Sequence, residues 1–131
     1  MGNCIFCKIV TGEISSNKIW ENERFLAFLD IKPIELGHTL VIPKKHIDSV
    51  FDLPDEDYKE LFVIARYLEK PIKQGARSLR VGLVVEGFGV SHTHLHLVPI
   101  NKPNQLGQER AHGVPEEALA SMQEKIKKFL P

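Results

Sequence analysis

Three histidines occupy alternate positions in His92-Thr93-His94-Leu95-His96. Neutral imidazole is a nucleophile near pH 7, because its ordinary pKa is about 6.5, and it is also a common zinc ligand. Side chains two apart on a strand share a face at intervals of about 6.5–7 Å. The three rings therefore line one face, while Thr93, Leu95 and Leu97 turn toward the core. Their span of roughly 13 Å is too long for one ion held by all three, so at most two could share a metal. A fourth imidazole, His38, follows Gly37 at the start of a β-rich run. It is either a partner of the three or a strand-edge surface residue. Asp30 closes the apolar run Phe25-Leu26-Ala27-Phe28-Leu29, where a carboxylate is either a turn residue or a hydrogen-bond acceptor at a site.

Cys4 and Cys7 form a C-x-x-C pair with three readings. A redox dithiol usually precedes the helix of a βαβ unit, which this sequence lacks. Two inert buried thiols are the second reading. A zinc site is the third, and it needs two further ligands. Gly87 and Gly89 flank Phe88 ahead of the histidines and allow backbone N–H groups to approach a phosphate. His112 stands alone in a polar loop and reads as solvated. Trp20 reads as core or interface, and Lys44-Lys45 is too short a basic run for nucleic acid.

The elements that must position these residues follow from periodicity. Ile5, Phe6, Ile9 and Val10 are spaced for a short helix over 4–10, stopped by Gly12. Lys18–Glu21 and Phe25–Leu29 read as strands joined at Asn22-Glu23, and His38–Ile42 reads as a third strand ending at Pro43. Pro54 opens a helix whose first turn is acidic, and Tyr58, Leu61, Phe62, Ala65 and Leu68 carry it to about Pro71. Val63 and Ile64 widen its apolar stripe beyond what one sheet covers, which implies a crowded core or a subunit partner. Leu79, Val81, Leu83 and Val85 alternate as a fourth strand, and Thr93–Val98 as a fifth, ended by Pro99. A polar loop over 101–114 leads to a last helix from Pro115, with Leu119, Met122, Ile126 and Phe129 as its stripe. Hairpin-like neighbours predict an antiparallel α+β sandwich.

Composition sets outer limits. The chain has 131 residues, read as one domain over 1–131, with 17 basic and 17 acidic residues. Zero net charge argues against a duplex nucleic-acid binder but not against a small nucleotide. No apolar run approaches the ~20 residues of a membrane span, and no secretory leader is evident. Two cysteines do not make a disulfide framework, which suits a reducing cytoplasm.

Four motifs in order are similar to those of the histidine triad (HIT) family. His92-Thr93-His94-Leu95-His96-Leu97-Val98 resembles its H-φ-H-φ-H-φ-φ signature. Gly37-His38-Thr39-Leu40-Val41-Ile42-Pro43-Lys44-Lys45-His46 resembles G-H-x-L-V-I-P-x-x-H. Ala27-Phe28-Leu29-Asp30-Ile31 resembles A-F-x-D-I, and Cys4-Ile5-Phe6-Cys7-Lys8-Ile9 resembles the C-I-F-C-K-I of bacterial-type members. The likeness is to the Hint and bacterial Hit branch rather than the uridylyltransferases. It implies a HIT-like fold, five antiparallel strands with helices packed on them, in a homodimer. It implies that His94 attacks the α-phosphate of a purine nucleoside phosphoramidate or related conjugate. A nucleotidyl-histidine forms, and water hydrolyses it. His96 would hydrogen-bond a phosphoryl oxygen or the leaving atom, and His38 would join the histidine relay. Asp30 would bind the ribose hydroxyls, with Ile31, His94, His96 and Gly89 completing the nucleotide site. Cys4, Cys7, His46 and His92 would hold a structural zinc. A dinucleoside polyphosphate hydrolase and a non-catalytic nucleotide-binding module are the alternatives.

The sequence also departs from the family pattern. Val85 stands where the family has Asn, no Gln precedes the triad, and the loop is shorter. Ser91 is not the family's serine, and Thr93 replaces an apolar residue. The missing side chains normally contact the phosphate or leaving group.

Overall fold

Five strands pair in the order β1-β2-β3-β5-β4, all antiparallel. They are β1 Lys18–Glu21, β2 Phe25–Leu29, β3 Thr39–Pro43, β4 Arg80–Val84 and β5 Leu95–Ile100, accompanied by helices α1 Ile5–Thr11, α2 Asp55–Ala76 and α3 Glu116–Lys127. The computed structural model describes residues 2–131. The expected α+β antiparallel architecture is present.

β2 is buried along its whole length, which is why it reads as an unbroken apolar run rather than an alternating one. Its odd positions, Phe25, Ala27 and Leu29, pack with Leu61, Ala65 and Leu68 of α2 and Ile126 of α3. Its even positions, Leu26 and Phe28, pack on the other face with Leu40, Ile42 and the α1 residues Phe6 and Ile9. The long helices thus cover one face of the sheet. The seven-residue α1 covers only part of the other. Leu95 and Leu97 of β5 belong to the α2 side, so His96 between them faces the α1 side, where the sheet is incompletely roofed.

Several boundaries differ from expectation for identifiable reasons. α2 does not stop near Pro71 but encloses it and continues to Ala76. Pro removes one helix hydrogen bond, yet Ile72 and Gly75 beyond it are buried. At Gly75 a Cβ would meet Ile126 Cγ1 at 2.7 Å, so this turn is held by its contact with α3. The helix closes at Arg77, which is left-handed at φ 57°, with Ser78 N–H donating to the Lys73 carbonyl. β5 starts at Leu95 rather than Thr93 and runs through Pro99. β3 pairs with β5 only as far as Thr39↔Leu97, so no β3 residue lies opposite Pro99.

The apolar stripe of α2 also resolves differently. Ile64, which widened it on paper, lies in the core, whereas Val63 is 51% and Tyr67 41% exposed. Leu79 and Leu83, two of the alternating residues of the fourth strand, are 73% and 43% exposed on β4 and its approach. Phe129 lies past the end of α3 and is exposed. Trp20 is half-buried against Tyr67.

Candidate functional site

Two clusters of side chains meet along the segment leading into β5. The first contains Cys4, Cys7, His46 and His92. Cys4 Sγ lies 3.4 Å and Cys7 Sγ 3.6 Å from His92 Nδ1, and Cys7 Sγ lies 3.2 Å from His46 Nδ1. All four donor atoms fall within 4.8 Å of one another. A tetrahedral zinc with bonds of about 2.0–2.3 Å sets its ligands roughly 3.3–3.8 Å apart, so this donor set fits it. His92 is also oriented for such a role. Its Nε2–H donates to the Pro43 carbonyl at 2.7 Å, leaving Nδ1 as a lone pair directed at the thiols. Burial lowers the His92 pKa and favours this neutral ring. Both cysteines are free, and burial raises the Cys7 thiol pKa. Cys4 is the N-cap of α1 and accepts the Cys7 N–H at 3.3 Å, so the short helix is built around the cluster.

The second cluster contains His94, His96, His38 and Asp30. The backbone fixes the proton positions one ring after another. Ile34 N–H donates to His38 Nδ1 at 3.0 Å, so the neutral His38 carries its proton on Nε2. His38 Nε2 lies 2.9 Å from His96 Nδ1, which therefore accepts. His96 is left with its proton on Nε2. His94 Nδ1 donates to the His92 carbonyl at 2.7 Å, so in the neutral ring its Nε2 is a bare lone pair. Its ring centroid lies 5.0 Å from that of His96. One nitrogen able to attack thus stands beside one N–H able to donate. Burial holds both His38 and His96 down to about 4, so both rings are neutral at pH 7.

Asp30 follows β2, and its N–H bonds the His38 carbonyl at 2.9 Å. Its Oδ1 accepts the Lys32 N–H at 2.9 Å, and Oδ2 lies 3.8 Å from His38 Nε2. Burial raises the Asp30 pKa, opposed by that N–H and by the neighbouring histidines. Asp30, His38 and His96 lie close enough to suggest a metal. His38 Nε2 and His96 Nδ1, 2.9 Å apart, are closer than two nitrogens on one tetrahedral metal and form a hydrogen bond instead.

Asp30, His94, His96 and Gly89 line one cleft of about 340 Å³, together with Phe6, Leu40, Glu86, Phe88 and Gln108. Ile31, beside Asp30, is 65% exposed and stands outside the lining. Gly87 and Gly89 have φ of 87° and 89°, which most side chains avoid. His94 and His92 lie ahead of β5 rather than within it. Both nevertheless turn to the same side, where the Phe6 ring edge-packs on each at 5.2 and 5.9 Å. His112 is solvent-exposed as expected, with its N–H bonded to the Pro33 carbonyl.

Phe6, Glu86 and Gln108 were not foreseen as site residues. Gln108 reaches the cleft because the 101–114 loop is pinned. Gln105 is buried and accepts from the N–H groups of Asn101 and Lys102 at 2.6 and 3.0 Å, and Arg110 pairs with Glu35. No motif in the sequence signals this fold-back. Phe6 carried a signal in its helical spacing, but only as a core residue.

Comparison with known proteins agrees with the motifs. The HIT domain model matches residues 11–103. The chain is 42% identical over 102 residues to Protein hit of Bacillus subtilis, covering 74% of this chain and 70% of that one. It is 40% identical over 107 residues to an adenosine 5′-monophosphoramidase of Schizosaccharomyces pombe, covering 79% and 77%. A zinc-bound histidine triad family protein from Mycobacterium smegmatis has the same fold, with TM-score 0.82, 29% identity and coverage of 98% and 96%. A sheet carrying a histidine triad beside an open cleft defines the class, and this chain belongs to the HIT family. None of its described helices is long and apolar enough to cross a membrane.

Proposed function

We propose that this protein is a nucleotide hydrolase or nucleotidyl transferase acting at the α-phosphate of purine nucleoside phosphoramidates or related conjugates. The observation that carries the reading is the pair of fixed tautomers, a bare His94 Nε2 beside the Nε2–H of His96. Asp30 accepts the ribose hydroxyls and sets the α-phosphate against His94. His94 Nε2 bonds to phosphorus as the phosphorus–nitrogen bond to the leaving amine breaks, and the amine takes its proton from solvent. His96 hydrogen-bonds a phosphoryl oxygen or the leaving atom, with His38 holding its ring in register. Water then attacks phosphorus, the nucleoside monophosphate leaves, and His94 regains its lone pair. The name of the fission-yeast relative, a monophosphoramidase, supports the same reaction class.

Cys4, Cys7, His46 and His92 would hold a zinc that serves structure. Supplied there, zinc ties α1 to the loops flanking β3 and β5. Such a site suits a reducing, cytoplasmic setting in which both thiols persist. The protein would act as a homodimer joined along β4. Among the described residues this strand pairs with β5 alone, and it carries exposed Leu83, with exposed Leu79 just before it. The other edge, β1, is blunted by a register shift between Lys18 and Trp20.

Rapid quench with a labelled nucleoside phosphoramidate, followed by mass spectrometry, tests the mechanism. The label should sit on His94 and be absent from His94→Ala. Label on another residue, or near-normal turnover of His94→Ala, overturns it.

A further inference from the structure

The strand register orders the cleft. Asp30 follows Leu29, which pairs with Thr39, while Thr39 pairs with Leu97 and Leu40 with His96. Asp30, His96 and His94 therefore follow one another along the strand axis, with Asp30 at one end. β4 pairs Val84 with His96 and runs antiparallel to β5, so the chain after Val84 continues toward the His94 end. A nucleotide with its ribose at Asp30 and its α-phosphate at His94 presents whatever is attached to that phosphate to the loop over 85–91.

This loop has a distinct chemistry. Phe88 is 80% exposed, lies between two glycines of positive φ, and still lines the cleft. Glu86 lines it too, whereas no lysine or arginine is among the described residues that do. Glu86, the carboxylate at the loop end of the lining, opposes anions. A leaving group made of phosphates would bring several negative charges to a wall with no cation to meet them. An amine bearing a second positive charge would meet a carboxylate and an aromatic face.

Resting on the nucleotidyl-transfer reading above, we infer that Glu86 and Phe88 form a leaving-group subsite that favours cationic amine conjugates over anionic ones, polyphosphates included. Glu86 supplies the charge preference, and Phe88 supplies apolar contact to the linking chain. The glycines on either side give Phe88 the backbone freedom to settle on groups of different size.

The test uses three phosphoramidates of one nucleoside, made with 1,5-diaminopentane, pentylamine and 6-aminohexanoate. Their far ends are cationic, neutral and anionic. The readout is the ratio of kcat/KM values, so any general loss of activity in a variant cancels. The wild-type ratio of cationic to anionic should be about tenfold, the scale of an exposed but close charge contact, and should shrink as salt screens it. Glu86→Gln should bring it to about twofold. Phe88→Ala should lower activity on the pentylamine conjugate by about threefold relative to a fourth phosphoramidate, the unsubstituted amidate. Binding of the same three compounds to His94→Ala, measured by calorimetry, reads the subsite without turnover. Absence of turnover on every compound with the affinity ranking intact would sink the catalytic reading and keep the subsite. Turnover with no ranking, or a ranking unchanged in Glu86→Gln, overturns the subsite.

Discussion

The carbonyl oxygen of His92 lies 2.7 Å from Nδ1 of His94. His92 thereby belongs to both clusters. Its ring faces the thiols of Cys4 and Cys7, and its backbone decides which nitrogen of His94 is free to attack. Displacing the His92 ring would shift that carbonyl and release the His94 ring.

Metal removal should therefore cost stability and activity together. Protein purified without chelator should carry about one zinc per chain. Chelation, or Cys7→Ser, should lower the melting temperature and reduce turnover while the cleft residues stay unaltered. Absence of zinc by elemental analysis, or an unchanged melting temperature in Cys7→Ser, would refute the assignment.

Removing the proposed nucleophile should be far more damaging than removing its neighbour. His94→Ala should lose at least ~10³-fold in kcat, because only binding and electrostatic help remain. His96→Ala should cost most with poor leaving groups and least with good ones, as expected of a hydrogen-bond donor. Steady-state rates across a leaving-group series measure the contrast.

Stability should fall with acid in a defined window. His38 and His96 are held to about 4 in the fold against an ordinary 6.5. Between these values the unfolded chain binds more protons than the folded one. Their contribution is thus complete above pH 6.5 and lost as pH falls toward 4. Each ring accounts for roughly 3 kcal/mol. Denaturant unfolding at several pH values should give a steep slope in this window, and His38→Gln should make it shallower. Equal slopes in the two proteins would contradict the account.

Packing predicts a separate effect far from the cleft. Gly75→Ala would place a methyl 2.9 Å from the backbone N and Cα of Ile126, atoms that cannot swing aside. The helix propensity gained by alanine is about 1 kcal/mol. Overpacking costs roughly 1–3 kcal/mol, so the net change should be a lower melting temperature. An unchanged or higher value would show that α3 yields.

The exposed edge predicts assembly. Sedimentation at micromolar concentration should give a dimer, and Leu83→Lys should shift it toward monomer by placing a charge on the pairing edge. A wild-type monomer at that concentration would defeat the proposal.

Residue types and spacing made much of this legible. β1 and β2 lie where their apolar runs and the Asn22 turn place them, because the signals there are local. Asn22 Oδ1 accepts from both Arg24 and Phe25 N–H. The clustering of Cys4 and Cys7 with His46 and His92 was accessible only by resemblance, since the members lie up to 88 residues apart. The end of α2 was misread at Pro71 because the opposing influence is Ile126, on another helix. The stripe of α2 was read too wide because Val63 and Ile64 are alike in type and differ only in which way they turn. Gln108 escaped notice because its position depends on a buried Gln105 that looks like any loop glutamine.

The partners that assign protons to these imidazoles are peptide groups. Ile34 contributes its N–H, and Pro43 and His92 contribute carbonyls. Natural selection acting on side chains therefore has a loose hold on them. Position 34 can drift among apolar residues without disturbing the relay, and proline is the one replacement that erases the donor. Position 43 needs no donor and can be proline at no cost to its carbonyl. Descendants of this chain could keep the same proton arrangement while their letters at positions 34 and 43 diverge.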